Sequence, residues 1–147
     1  MLFIDRIFTE PIVQIIFCVR FTIILLLKKN QNFLFLIFKV TQETTLGNWN
    51  AEIWKYVTPE TVPASVRVVL ANRLATTGPT WVELFQRYNS GTYNNQWMVL
   101  DYNLFTPGEP LKPGTFWILE QAPGTVQMAD RTMLLDNQGF WSSYNIA

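Results

Sequence analysis

The chain has 147 residues, about one domain's worth, and its 11 Lys and Arg balance 11 Asp and Glu, which argues against a generally basic nucleic-acid binder and against an acidic solvating tail. Histidine is absent and Cys18 is the one cysteine, so Ser-His-Asp and Cys-His arrangements, His-liganded metal sites, metal sites built from four cysteines and an intrachain disulfide are all excluded within the chain. Hydrophobic residues make up 49% and aromatics 15%, enough to build a core.

These averages hide two unlike parts. Of residues 1–40, 26 are apolar, and their charges are Arg6, Arg20, Lys28, Lys29 and Lys39 against Asp5 and Glu10. Residues 41–147 carry an excess of acids instead, and the boundary lies near Val40. The longest apolar stretch runs from Ile12 to Leu27, but Gln14 and Arg20 interrupt it. A spanning helix needs about 20 predominantly apolar residues, and a central Arg costs about 2.5–3.5 kcal/mol on insertion scales. Signal-peptide grammar fits in part: Arg6 precedes an apolar region, but Asp5 and Glu10 intrude and Lys28-Lys29 stand where a cleavage site would lie. Three readings stay open for residues 1–39. They are a membrane anchor using residues 12–27, strands or helices of a buried core, and a non-native hydrophobic leader. The abrupt change of composition favours the last.

From Val40 the grammar is that of an ordinary domain. Val40 to Leu46 reads as a short strand with pleat-compatible Thr41, Thr44 and Thr45, broken at Gly47-Asn48. Ala51 to Val57 suits one helical turn around Trp54. A helix is predicted over 62–75, capped by Thr61 with Pro63 in its first turn, its apolar face being Val62, Val66, Val69, Leu70 and Leu74. Thr76-Thr77-Gly78-Pro79 ends it. A second helix, 80–88, opens on a Thr80-x-x-Glu83 capping box and carries Trp81, Leu84, Phe85 and Tyr88 on one face.

At Tyr93 the period changes. Tyr93 to Tyr102, Thr115 to Gln121 and Thr125 to Ala129 read as three strands, the last two joined by a turn at Pro123-Gly124. The short connections favour an antiparallel meander with both helices on one side of it. An aromatic-rich tail follows Met133. The fold class is α+β.

The densest polar cluster is Tyr88 to Trp97, between the second helix and an apolar strand. Its side-chain amides can donate to an oxyanion or hold a carbonyl without titrating, although Asn, Ser and Gly are also ordinary loop residues. Thr44 and Thr45 suit either a cleft wall or a plain strand. Asp130-Arg131 reads as a hairpin-end pair and Asp101 as a strand-ending turn residue. Cys18 lies among apolar residues, where a thiol is inert. No P-loop, G-x-G-x-x-G, G-x-S-x-G or H-E-x-x-H motif is present.

Seven blocks in order carry a resemblance. They are Val40 to Asn48, Trp54 to Val57, Ala71 to Ala75, Tyr88 to Trp97, Leu119 to Gln121, Ala129 to Thr132 and Trp141 to Ile146. Together they resemble the phospholipase B-like (lamina ancestor-like) proteins, and Asn89-Ser90-Gly91-Thr92-Tyr93-Asn94-Asn95-Gln96-Trp97 is the most specific run. The resemblance implies part of an N-terminal-nucleophile hydrolase, a four-layer αββα sandwich in which internal cleavage frees a cysteine whose own α-amine serves as base. It also implies a lysosomal or secreted hydrolase of ester or amide bonds, which releases fatty acids from phospholipids or another acyl lipid or acts as an amidase, without cofactor or metal. By that resemblance Asn94 and Asn95 are candidate oxyanion donors, and Thr44, Thr45 and Gln96 line the substrate cleft. The nucleophile has no match here, since Cys18 stands in the wrong context, and the remainder of the family domain is missing. Residues 40–147 are therefore expected to be a partial domain, either of an enzyme or of a non-catalytic interaction module.

Overall fold

The computed structural model describes residues 22–30 and 33–145, with side chains from Lys39 onward. Cys18 and most of the 12–27 stretch lie outside them. Five strands form one antiparallel sheet in chain order: β1 (Thr22–Asn30), β2 (Phe33–Thr45), β3 (Asn95–Asp101), β4 (Phe116–Ala122) and β5 (Thr125–Asp130). The three-stranded meander after Tyr93 is as the period change predicts. The strand expected to begin at Val40 instead begins at Phe33, and β1 pairs along it from Thr22↔Thr41 to Asn30↔Phe33. The backbone ladder thus crosses the compositional boundary without a break, because strand pairing depends on extended backbone, which a run such as Phe33 to Phe38 favours.

Helices α1 (Ala64–Leu74) and α2 (Gly78–Gln86) pack side by side on one face, and α3 (Thr132–Gln138) lies on the other. A 3₁₀ helix at Ala51–Tyr56 occupies the turn expected around Trp54, and Asn50 caps it. The fold class is α+β, as expected, with α3 standing where only an aromatic tail was anticipated.

Three local predictions need correction. The box at Thr80-Glu83 does not form. Thr77 is the cap, exchanging hydrogen bonds with Thr80, and Gly78-Pro79 opens α2 instead of closing α1. Proline suits that first turn because its missing N–H has no intrahelical partner there. Likewise Pro63, not Thr61, occupies the cap position of α1, and the Thr61 hydroxyl donates to the Thr58 carbonyl. The third correction is the largest. Val66, Val69, Leu70 and Leu74 of α1 are exposed, while Ala64, Arg67, Ala71 and Asn72 face inward.

The core between helices and sheet is built on Trp81, Phe85 and Trp97, with Ala64, Ala71, Val82, Val99 and Leu119 around them. Trp81 stacks on Phe85 with ring centroids 4.9 Å apart, and Phe85 meets Trp97 at the same distance, tilted by 55°. The opposite face holds a second cluster of Val40, Met98, Leu100, Phe116, Ile118 and Leu135, which Trp141 edges at Phe116.

Candidate functional site

The run Tyr88 to Trp97 leaves α2, turns, and enters β3. Its turn is conformationally demanding. Tyr88 and Tyr93 have φ of 55° and 53°, and Gly91 has φ of 64°, a region that non-glycine residues seldom adopt. A Cβ on Gly91 would lie 2.6 Å from the Pro123 Cα, so only glycine fits.

One buried cation holds this turn from the helical face. Arg67 is 3% exposed and no carboxylate pairs with it among the described residues. Its Nε donates to the Val62 carbonyl at 2.9 Å, Nη1 to the Phe85 carbonyl, and Nη2 to Gln121 Oε1 at 2.7 Å and to Asn89 Oδ1 at 3.4 Å. The guanidinium also lies over the Phe85 ring, 4.4 Å from its centroid. Gln121 passes the restraint on, its Nε2 donating to the Thr92 and Tyr93 carbonyls. Asn89 ties the same turn to the β4–β5 hairpin through Ala122 and Thr125. Burial lowers the Arg67 pKa to about 10.

The five candidate residues do not form one cluster. Successive side chains on a strand point to opposite faces. Thr44 and Gln96 are register partners on the face away from α1 and α2, while Thr45 and Asn95 are partners on the helical face. Thr45 is exposed there, which removes it from a wall shared with Thr44. Asn95 has no exposed surface, and neither its Oδ1 nor its Nδ2 has a hydrogen-bond partner among the described residues. Gln121 lies beside it, one register step beyond Gln96↔Glu120. Asn94 precedes β3. Its carbonyl accepts from Leu46 N at 2.8 Å, and its buried Oδ1 is also unpartnered among the described residues.

On the opposite face, Gln96 Nε2 donates to Glu120, and Gln96 Oε1 accepts from Trp141 Nε1 at 2.9 Å. The segment carrying Trp141 then crosses to the end of β2, where Asn145 Nδ2 donates to the Thr45 carbonyl at 2.8 Å. Asp101 and Asp130 act as end residues, as expected: Asp101 caps a short 3₁₀ turn and Asp130 accepts from Gly114 N and Thr132 N. No group of three His, Cys, Asp or Glu is placed to hold a metal among the described residues. Sequence reasoning missed Arg67. Arg67 sits at helical spacing between Ala64 and Ala71, a stripe of small residues that could have marked the buried face.

An α+β scaffold presenting an Asn-rich strand entry is matched by the family model of phospholipase B over residues 33–147. The chain belongs to the phospholipase B family. It is 54% identical over 110 residues to "Putative phospholipase B-like 2" of Homo sapiens, a match that covers 73% of this chain and 18% of that protein. Phospholipase B-like protein B of Dictyostelium discoideum is 50% identical over 107 residues, again 73% of this chain and 18% of the relative. The chain therefore spans about a fifth of the length of the curated relatives it matches. The family match begins at residue 33, the first residue of β2, ahead of the compositional boundary near Val40.

Proposed function

We propose that this chain forms part of a phospholipase B-like acyl hydrolase that releases fatty acids from phospholipids in a lysosomal or secreted setting. In this reading the sheet with α1 and α2 is half of an N-terminal-nucleophile αββα sandwich. Asn94, just before β3, and Asn95, its first residue, are the candidate oxyanion donors. The observation that carries the proposal is Asn95, wholly buried with both amide atoms unpartnered among the described residues. Leaving such a group unpaired costs stability, and a catalytic role is one explanation for such an exception. A donor kept away from water also stabilises a developing oxyanion most strongly, by about 10²–10³ in rate.

The nucleophile comes from outside residues 40–147. Cys18, the one cysteine of the chain, stands in a context that does not match the family's nucleophile. A second reading is a non-catalytic module of the family. One experiment separates them. In a relative that spans the whole family domain, replacing the residue aligned with Asn95 by Ala lowers kcat by about 10²-fold with little change in KM under the hydrolase reading. Unchanged kcat would remove Asn95 from the chemistry. The isolated 147-residue chain is expected to release no fatty acid from phosphatidylcholine vesicles. Release at enzymatic rates, abolished by Cys18→Ala, would overturn the assignment of the nucleophile.

A further inference from the structure

Helix α1 presents to solvent the side that a helix ordinarily buries. Val66, Val69, Leu70 and Leu74 lie there, 47%, 47%, 48% and 63% exposed. Their spacing of i, i+3, i+4 and i+8 is that of a stripe made to pack on a core. Arg73, also exposed, is the one charged residue among them, and α1 has no acidic residue. The two sides of the helix cannot be exchanged. Ala71 is fully buried in the core, Asn72 accepts from the Trp81 indole, and Arg67 binds the Val62 and Phe85 carbonyls. Rotating α1 to bury the aliphatic stripe would break every one of those bonds. The polar contacts on one side thus hold the apolar stripe outward on the other.

A contiguous apolar stripe on the surface marks a contact, and its size and charge select the occupant. A stable interface with a separate protein or a second copy takes about 20–30 residues a side. Four aliphatic residues on an 11-residue helix fall well short of that. A helix that lies on a lipid surface carries Trp or Phe on its apolar side and several cations beside it. This stripe has no aromatic residue and one cation. A segment of the same polypeptide meets neither objection. The chain already holds it close, so a small patch suffices to dock it without the cost of bringing two molecules together. The family has such chain to supply, because this one covers 18% of the relatives it matches.

We infer that Val66, Val69, Leu70 and Leu74 form an internal docking surface, covered in the whole family domain by an aliphatic segment from outside residues 33–147. That segment places a carbonyl or a carboxylate, and no basic residue, opposite Arg73. The inference rests on family membership and not on the hydrolase reading. It also goes beyond the αββα reading, in which the outward faces of the helical layers meet water.

The test puts one thiol on the stripe. Val69→Cys is made in this chain, in a Cys18→Ser background, and a cysteine is placed at the aligned position of a relative that spans the whole family domain. Maleimide labelling is followed peptide by peptide by mass spectrometry, each rate set against that of the same protein unfolded in urea. In this chain the new thiol should react within about threefold of the unfolded rate, as a site that needs no opening does. In the whole-domain relative it should react at least about 100-fold more slowly, because the covering segment must first open. A rate in the relative close to that of its unfolded form would overturn the inference. So would a thiol in the relative that reacts quickly alone and slowly beside phosphatidylcholine vesicles, since the stripe would then belong to a lipid surface. Lysine at the position of Leu70 gives a second readout. This chain should tolerate Leu70→Lys, whereas the same change in the relative should lower its melting temperature by several degrees or block its folding. Equal tolerance in both proteins would overturn the inference. Neither readout requires catalysis, so removing Asn95 from the chemistry would leave the docking surface standing.

Discussion

The two helices that share one face of the sheet bury opposite kinds of surface. Helix α2 turns Trp81, Val82 and Phe85 inward, three large apolar residues with almost no exposure. Its neighbour α1 turns in Ala64, Arg67, Ala71 and Asn72 and leaves Val66, Val69, Leu70 and Leu74 outside. The inner face of α1 is small and polar because its task differs. The alanines let α2 approach closely, Asn72 Oδ1 receives the Trp81 indole N–H at 2.7 Å, and Arg67 binds the carbonyls that end α2 and precede α1. One helix contributes apolar area, and the other satisfies polar groups that the first would leave buried. Hydrophobic burial and hydrogen-bond satisfaction are thus divided between adjacent elements.

Among truncations, those on the α2 side should have the largest effect. Trp81→Ala or Phe85→Ala removes a ring from a three-ring stack and opens a cavity in a dry core. Each should destabilise by about 3–5 kcal/mol in urea titrations. A loss below about 1 kcal/mol would mean that α2 does not hold the sheet.

On the α1 side the corresponding change is Arg67→Met. It keeps much of the side chain's length but leaves the Val62 and Phe85 carbonyls and Gln121 Oε1 without their donor. The expected loss is about 2–3 kcal/mol, in the range for hydrogen bonds to charged groups. Arg67→Lys should recover only part of it, since an ammonium cannot reproduce the planar fork that reaches three elements. Amide exchange of Thr92 and Tyr93 should accelerate with it, because Gln121 restrains both carbonyls only while Arg67 restrains Gln121.

A smaller effect separates the charge of α1's surroundings from its packing. Lys39 on β2 is 3% exposed and its Nζ donates to the Ala75 carbonyl at the end of α1. Burial lowers its pKa from the ordinary 10.5, and the Asp101 carboxylate opposes that shift. The folded chain therefore holds this proton less tightly than the unfolded chain. Its contribution to stability rises with pH between the lowered value and 10.5, where the unfolded chain sheds the proton too. Arg67, lowered by burial to about 10, acts in the same direction above that pH. The Tyr102 phenol, raised above 10.0 by burial, acts in the opposite direction above that pH. The difference between the parent and Lys39→Met isolates the lysine. Parent stability relative to the variant should climb as pH approaches 10.5, and a flat difference would mean that Lys39 is solvated.

How much of this was legible in the residues follows from the range of each interaction. The meander could be read because its signals are local: the alternation after Tyr93 and the Pro123-Gly124 turn. Helix α2 was legible from Trp81 and Phe85, although its start was misplaced, since Thr77 and Thr80 offer equally good caps and only the chain direction after Ala75 chooses between them. The polar run Tyr88 to Trp97 could be found, but its division between two faces could not be seen until Asn95 opened β3 and set the alternation. The stripe of Ala64 and Ala71 hints that Arg67 is buried, but its role was not legible because Phe85, Asn89 and Gln121 are distant in sequence. Nothing within one turn of α1 marks it as the residue that holds the Asn-rich loop.

The exposed stripe of α1 gives the smallest expected effect, and its contrast with the buried face the sharpest discrimination. Periodicity fixes that a stretch is helical, because residues three and four apart share a side. It does not fix which side is buried, since an alternative stripe of small or polar residues recurs with the same period. Val69 and Leu70 are 47% and 48% exposed. Were the apolar stripe packed on the sheet, Leu70→Lys would place a charge in a dry core and cost several kcal/mol. With the stripe in solvent, Val69→Lys and Leu70→Lys should each change stability by less than about 0.5 kcal/mol, as surface substitutions usually do. Ala71→Lys, one position further, should unfold the chain, because Ala71 is fully buried where the two helices meet. The contrast between neighbouring positions 70 and 71, measured in one denaturation series, determines the rotation of α1 about its axis more directly than either substitution alone.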